Sequence, residues 1–346
     1  MKIGVLGKFG PEEMGKHISD TLKEMKYEVF DFEFGPYLNQ KKNNSKFYSK
    51  IIKIRNKIFN SGIFLNKRVR ELLLYKTIKD IETNKLNILI VTHDYLSNLE
   101  IKKLKAKNKN LKVVLWFPDG VINVGKALFL TAGYDVLFFK CHHIVKYLKD
   151  YYELPVHYIG EAFNPQKNYP IFSNEEEYKT DLVFVGTIHS HRYPIIEKLI
   201  NLNKYNIKIY GTKPTFYLPQ NEKILKCFTG KYVTYEERAK IFRNAKINLN
   251  TLHLGEIQGV NVRLFEIAGA SGFQLASYRD EIKEFFQIGK EIDTFSSFSE
   301  LVEKIDFYLK NENLREKISK AGYERAKNNY TYKNRIEEIL KIVDGL

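Results

Sequence analysis

Short, near-continuous apolar runs alternate along this chain with stretches whose apolar residues recur every three or four positions. The first half reads as the strands Lys2–Gly7, Tyr27–Phe32, Leu86–Thr92, Leu111–Phe117 and Tyr134–Lys140. Helical periods fall between them at Glu13–Lys26, Lys46–Phe59, Val69–Ile81 and Asn98–Lys107, and from His142-His143 through Tyr151, with a break at Phe34-Gly35-Pro36. After Val156–Ile159 comes a polar stretch, Gln166–Lys179, with three consecutive glutamates, which reads as a linker. The alternation then resumes: strands Asp181–Val185, Asn206–Gly211, Ile247–Leu252, Phe273–Ala276 and Glu291–Phe295, and helices Pro194–Asn201, Tyr232–Asn244, Phe298–Lys310, Asn313–Asn328 and Tyr330–Leu346. Apolar strands separated by helices imply parallel sheets covered on both faces. In such sheets ligands bind outside the carboxyl ends of the strands.

One stretch, Ile247–Ala276, carries most of the candidate chemistry. Ile247–Leu252 alternates apolar and polar residues, the signature of a strand with one face turned to solvent or a cleft. A polar, glycine-containing loop follows at His253–Gly259, and from Val260 the period is helical until Gly269 and Gly272 stop it. A helix N-terminus at the end of a strand offers backbone N–H groups to phosphate. Arg263 and Glu266 stand about one turn apart on that helix. Together they suit a nucleotide diphosphate, the guanidinium for phosphate oxygens and the carboxylate for ribose hydroxyls. Their spacing equally suits a mutual i,i+3 ion pair.

The chain of 346 residues, 44% hydrophobic and 14% aromatic, is long enough for two domains with their own cores. No window approaches 18 uninterrupted apolar residues, and the opening MKIGVLGKFG is too soon broken to be a secretory segment. With only Cys141 and Cys227, the expectation is a cytoplasmic protein with reduced thiols. The net charge of +15 is uneven: residues 1–160 hold 28 Lys/Arg against 16 Asp/Glu (+12), residues 161–346 hold 28 against 25 (+3). Lys41–Arg70 contains ten basic residues and no acidic one, which points to an anionic membrane surface or acidic polymer, or to a composition rich in lysine throughout. Nucleic acid is disfavoured, since no RNP, helix-turn-helix or zinc-finger signature accompanies the charge. His189-x-His191 lacks a third spaced ligand, so no metal is expected. The spacing Gly4-x-x-Gly7-x-x-Gly10 is a weak phosphate-loop signal. His93, Asp94 and Asp119 follow strands and are candidates for binding or proton transfer, or for capping helices.

The segment GVNVRLFEIAGASGFQL, followed by YRDEIKEFF and GKEI, resembles the donor-binding half of the CgeB-like, spore-maturation-type family of GT-B glycosyltransferases. The resemblance implies an α/β fold of two Rossmann-like parallel-sheet domains facing a central cleft, with a C-terminal helix crossing back to the first. The expected division is an acceptor domain at 1–160, a linker at 161–180, a nucleotide-sugar domain at 181–329 and the returning helix at 330–346. It further implies that Gly186, Thr187 and Arg192 lie beside the donor diphosphate, with Lys213 and Arg263 adding positive charge and the N–H groups of Asn261 and Val262 completing the anion site. Asn250, His253, Gly259 and Val260 join the donor set. Glu266 matches the second Glu of the retaining group's Glu-x7-Glu pattern, the ribose ligand, whereas the first Glu falls on Gln258. The function implied is transfer of a sugar from a nucleotide-diphosphate donor to a saccharide or lipid-linked acceptor, without a metal or other cofactor. If the reaction inverts, Asp119 is the first candidate for the base, ahead of Asp94 and His93. The alternatives are a GT-B sugar-nucleotide epimerase and a non-catalytic carbohydrate-binding protein.

Overall fold

The computed structural model describes residues 1–33, 54, 57, 66–120, 123–188, 191–212, 217–255 and 258–346. Apart from Ile54 and Lys57, the expected helix Lys46–Phe59 lies outside the described residues, as do most of the basic run Lys41–Arg70 and Lys213. The chain divides into two compact units, one of Met1–Ile159 with Arg335–Leu346, the other of Gly160–Asn334.

The first unit is built on the strands β1 (Lys2–Gly7), β2 (Glu28–Glu33), β3 (Ile88–Val91), β4 (Lys112–Trp116), β5 (Val136–Phe139) and β6 (Val156–Tyr158). They form a six-stranded sheet in the order β2-β1-β3-β4-β5-β6, every pairing parallel. The sequence explains the arrangement: Ile88–Val91 and Val136–Phe139 are buried at every position, as strands covered on both faces must be. The helix Lys67–Asn84 starts where the Asn66 side chain accepts from the Arg68 and Val69 N–H groups. It buries Arg70, Leu74, Ile78 and Ile81 on one stripe. Arg70 is the surprise on that stripe. Its guanidinium makes two parallel bonds to Glu100, 3.0 and 2.9 Å, and donates to the Tyr95 carbonyl at 2.8 Å. The last residue of the basic run is thereby a core ion pair and is withdrawn from any charged surface.

The second unit has the strands β7 (Leu182–Val185), β8 (Ile207–Tyr210), β9 (Ile247–Asn250), β10 (Gln274–Ser277) and β11 (Asp293–Phe295), ordered β11-β10-β9-β7-β8 and again parallel. The expectation of a half-solvated strand at Ile247–Leu252 is corrected here. β9 is the central strand, and Asn248 and Asn250 are 1% and 2% exposed. Their side-chain N–H groups are bonded instead of hydrated: Asn248 Nδ2 donates to the Phe242 and Phe273 carbonyls, both at 2.9 Å. Polar residues in a strand interior are tolerated only with such partners.

The helices of this unit are Tyr193–Asn201, Glu222–Cys227, Tyr235–Asn244, Val262–Gly269, Ile282–Phe285, Phe298–Lys310 and Glu312–Asn329. The expected helix from Val260 begins two residues later because Asn261 is its cap, accepting from the Leu264 N–H at 3.1 Å. The terminal helix runs Tyr332–Asp344, and Asn334 and Thr331 exchange hydrogen bonds at its start. No described helix is long and apolar enough to cross a membrane.

Candidate functional site

In the second unit the carboxyl ends of β7, β8 and β9 bring together most of the residues singled out in the sequence. The turns after β7 and β8 touch backbone to backbone: a Cβ on Gly211 would sit 2.3 Å from the Gly186 carbonyl oxygen. Both residues have left-handed φ, 151° and 137°, which glycine alone adopts without strain. Thr212 Oγ1 donates to Thr187 Oγ1 at 3.2 Å. Arg192 then straps the loop down, donating to the Thr187 carbonyl at 2.9 Å and the Thr251 carbonyl at 3.4 Å. Gly186, Thr187 and Arg192 are therefore one cluster, with Arg192 tying the end of β7 to the end of β9.

The loop leaving β9 is held by bonds between side chains and backbone. His253 Nδ1 accepts from the Gly255 N–H at 2.9 Å, so in the neutral ring the proton resides on Nε2 as a donor. His191 meets the same ring edge-on, centroids 4.2 Å apart, and Arg279 donates to the His253 carbonyl at 3.0 Å. Gly259, at φ 102°, turns the chain toward the helix, and Val260 is buried behind it. Asn261 pairs amide to amide with Asn250, at 2.9 and 3.3 Å. That pair fixes the N-terminus of the helix Val262–Gly269 to the end of the central strand.

Arg263 and Glu266 lie on this helix as the spacing predicts, and here they bond each other, Arg263 Nη1 to Glu266 Oε2 at 2.5 Å. The second oxygen of Glu266 accepts from Arg238 Nη2 at 2.7 Å. Arg238, on the helix Tyr235–Asn244, is 2% exposed and also reaches Asn168 Oδ1 at 3.3 Å. Burial pushes its guanidinium down to about 10, with Arg263 acting in the same direction and Glu266 against both. It stays charged at neutral pH. Arg263 is the more open of the two cations, its side chain 25% exposed and its guanidinium 5.5 Å from the Phe242 ring centre. Sequence reasoning missed Arg238. Its signal was an arginine on the buried stripe it shares with Ala239, Ile241 and Phe242, where an unpartnered charge would be costly.

In the first unit, His93, Asp94 and Asp119 also follow strands, but they differ in what they are free to do. Both Asp94 oxygens accept backbone N–H groups, from Leu128 at 2.6 Å and Phe129 at 2.8 Å. This aspartate thus caps the short helix Phe129–Ala132, far ahead in sequence, and burial raises its pKa to about 6. His93 stacks on Tyr95, centroids 5.2 Å apart, with Nδ1 3.1 Å from Thr92 Oγ1. Burial, then the charge of Lys8, lowers its pKa to about 3. Among the described residues no hydrogen bond or ion pair reaches the Asp119 carboxylate, which together with Glu13 lies near enough to Tyr95 to disfavour the phenolate. Trp116 and Phe117, which precede it in the chain, are buried, Phe117 within the unit's main core cluster.

Parallel sheets with phosphate-suited turns at their strand ends are common to many proteins, and comparison narrows the choice. Residues 192–341 match the family model described as glycosyl transferase-like. Sucrose-phosphate synthase from Thermosynechococcus elongatus superposes with a TM-score of 0.67 over 100% of this chain and 98% of that one, at 10% identity. HepE of Anabaena, in complex with UDP and glucose, gives 0.68 over the whole of both chains at 10% identity. Its fold is GT-B. A glycosyltransferase from Rickettsia africae gives 0.64 at 12% identity, over 99% of this chain and 97% of that one. No curated relative matches the chain by sequence. The matched segment begins at Arg192 and takes in Arg238 and the helix of Arg263 and Glu266, whereas Gly186 and Thr187 lie just before it. The matched segment and the shared fold thus make this chain similar to glycosyltransferases.

Proposed function

We propose that the second unit binds a nucleoside-diphosphate sugar and that the protein transfers its sugar to a saccharide or lipid-linked acceptor held by the first. The observation that carries the proposal is the capped helix Val262–Gly269, with Arg263 and Glu266 in its first turns, inside the glycosyl transferase-like segment. Asn261 supplies the cap, the helix N-terminus attracts the diphosphate, and Arg263, Arg192 and Lys213 supply its counter-charge. Glu266 then accepts from the ribose hydroxyls. Departure of the diphosphate is the step these positive groups assist, in place of a bound metal. Uridine is the nucleoside we favour, by analogy with the UDP complexes of HepE. The resemblance to the CgeB-like family supports the same reading.

On the acceptor side, Asp119 is the residue we assign to proton removal if the reaction inverts the anomeric centre. Asp94 is committed to its cap, and His93, with a pKa near 3, is too weak a base to compete. The remaining cations of Lys41–Arg70 are proposed to meet an anionic membrane surface.

A thermal-shift screen of nucleoside diphosphates and their sugars tests the donor reading. A true donor at 100 times its dissociation constant stabilises the fold by about 2.7 kcal/mol. No shift with any of them removes it.

A further inference from the structure

Three charged groups meet inside the second unit: Arg238, Glu266 and Arg263. The carboxylate is shared, one oxygen to each arginine, at 2.7 and 2.5 Å. The arginines are not equivalent. Arg238 is 2% exposed and braced by Asn168 Oδ1 at 3.3 Å, whereas the Arg263 side chain is 25% exposed.

We propose that Arg238 is a positioning residue for ribose recognition: it holds Glu266 in place while Arg263 leaves the carboxylate for the donor diphosphate. This rests on the donor reading given above. The bonds balance on exchange. Glu266 Oε2 loses the Arg263 N–H and gains a ribose O–H, Arg263 gains a phosphate oxygen, and Glu266 Oε1 keeps Arg238 throughout. Without Arg238 the carboxylate would be free to follow Arg263 toward the phosphate, and the ribose would lose its acceptor. Arg238 therefore acts through Glu266 and touches no substrate itself.

The test compares UDP with 2′,3′-dideoxy-UDP, and UDP with uridine, by calorimetric titration of the full chain. Wild type should prefer UDP over the dideoxy analogue by about tenfold or more, the worth of a hydrogen bond to a charged group. Arg238→Gln should bring that preference within about twofold while the preference for UDP over uridine persists. Arg238→Lys should restore part of it, and Arg238→Gln should change nothing further in a Glu266→Gln background. Arg263→Ala should do the reverse, keeping ribose discrimination and losing preference for the diphosphate, and this arm stands even if Arg238 variants fold poorly. Arg238→Gln weakening both nucleotides equally, or Arg263→Ala abolishing ribose discrimination, overturns the proposal with the donor reading intact. Absence of wild-type binding to UDP, GDP and ADP overturns both.

Discussion

His93 and Asp94 are neighbours whose burial drives their titrations in opposite directions, and the consequence can be measured. The Asp94 carboxyl is raised from 3.8 to about 6, so its contribution to stability is full below pH 3.8 and is lost as pH rises to 6. His93 is lowered from 6.5 to about 3, so its contribution is full above pH 6.5 and is lost as pH falls to 3. Between pH 4 and 6 the two slopes oppose each other, each about 1.4 kcal/mol per pH unit, and nearly cancel. Asp94→Asn keeps an oxygen for the Leu128 and Phe129 N–H groups but removes one slope. The variant should therefore lose stability on acidification faster than wild type, by up to ~2.7 kcal/mol across those two units. Trp116 is the sole tryptophan and lies in β4, so its fluorescence in urea titrations at pH 4, 5 and 6 reports on this unit alone. A variant whose unfolding free energy follows the wild-type pH slope would refute the opposed titrations. It would also reopen His93 as a usable base.

Four further outcomes are expected. Glu266→Gln should weaken nucleotide-sugar binding by roughly 1.5–3 kcal/mol, and Arg263→Ala should cost affinity for the diphosphate more than for the bare nucleoside, both read by calorimetry. Unchanged affinities in both variants would count against the assignment. Asp119→Asn should keep the melting temperature and donor affinity while turnover drops roughly 100-fold or more; early melting with normal turnover would make it a turn residue. Co-sedimentation with anionic vesicles should fall as salt rises if the Lys41–Arg70 run docks on a membrane, exposed charges being screened over about 8–10 Å at physiological ionic strength. Binding that ignores lipid charge would leave lysine-rich composition as the explanation.

The parallel α/β architecture was legible because its cues are local. Lys2–Gly7, Asn98–Lys107 and Phe298–Lys310 have the bounds that periodicity assigns, and elsewhere caps such as Asn261 move an end by a residue or two. Arg263 and Glu266 were legible for the same reason: three residues apart on a helix, they had to share a face. What decides their behaviour was not local. Arg238 comes from 28 residues upstream of Glu266 and Asn168 from 70 upstream of Arg238, and no period links them. β9 was misread because alternation of apolar and polar residues normally marks a wet face. Here the polar positions are amides whose partners, Asn261, Gln274 and the Phe242 and Phe273 carbonyls, lie outside the strand. Asp94 shows the same limit, since its capped N–H groups are 34 and 35 residues ahead.

The central claim, that this GT-B protein turns over a nucleotide sugar, is tested most directly by product analysis. Purified protein is incubated with UDP-, GDP- and ADP-sugars, with and without cell-envelope glycans as acceptors, and the nucleotide and sugar products are followed by mass spectrometry. The account predicts that one nucleotide class releases its diphosphate in step with gain of one sugar mass on an acceptor, and that Glu266→Gln and Arg263→Ala suppress both signals. Conversion of the donor to an isomer of equal mass without any acceptor, or no nucleoside diphosphate released from any donor, would contradict it.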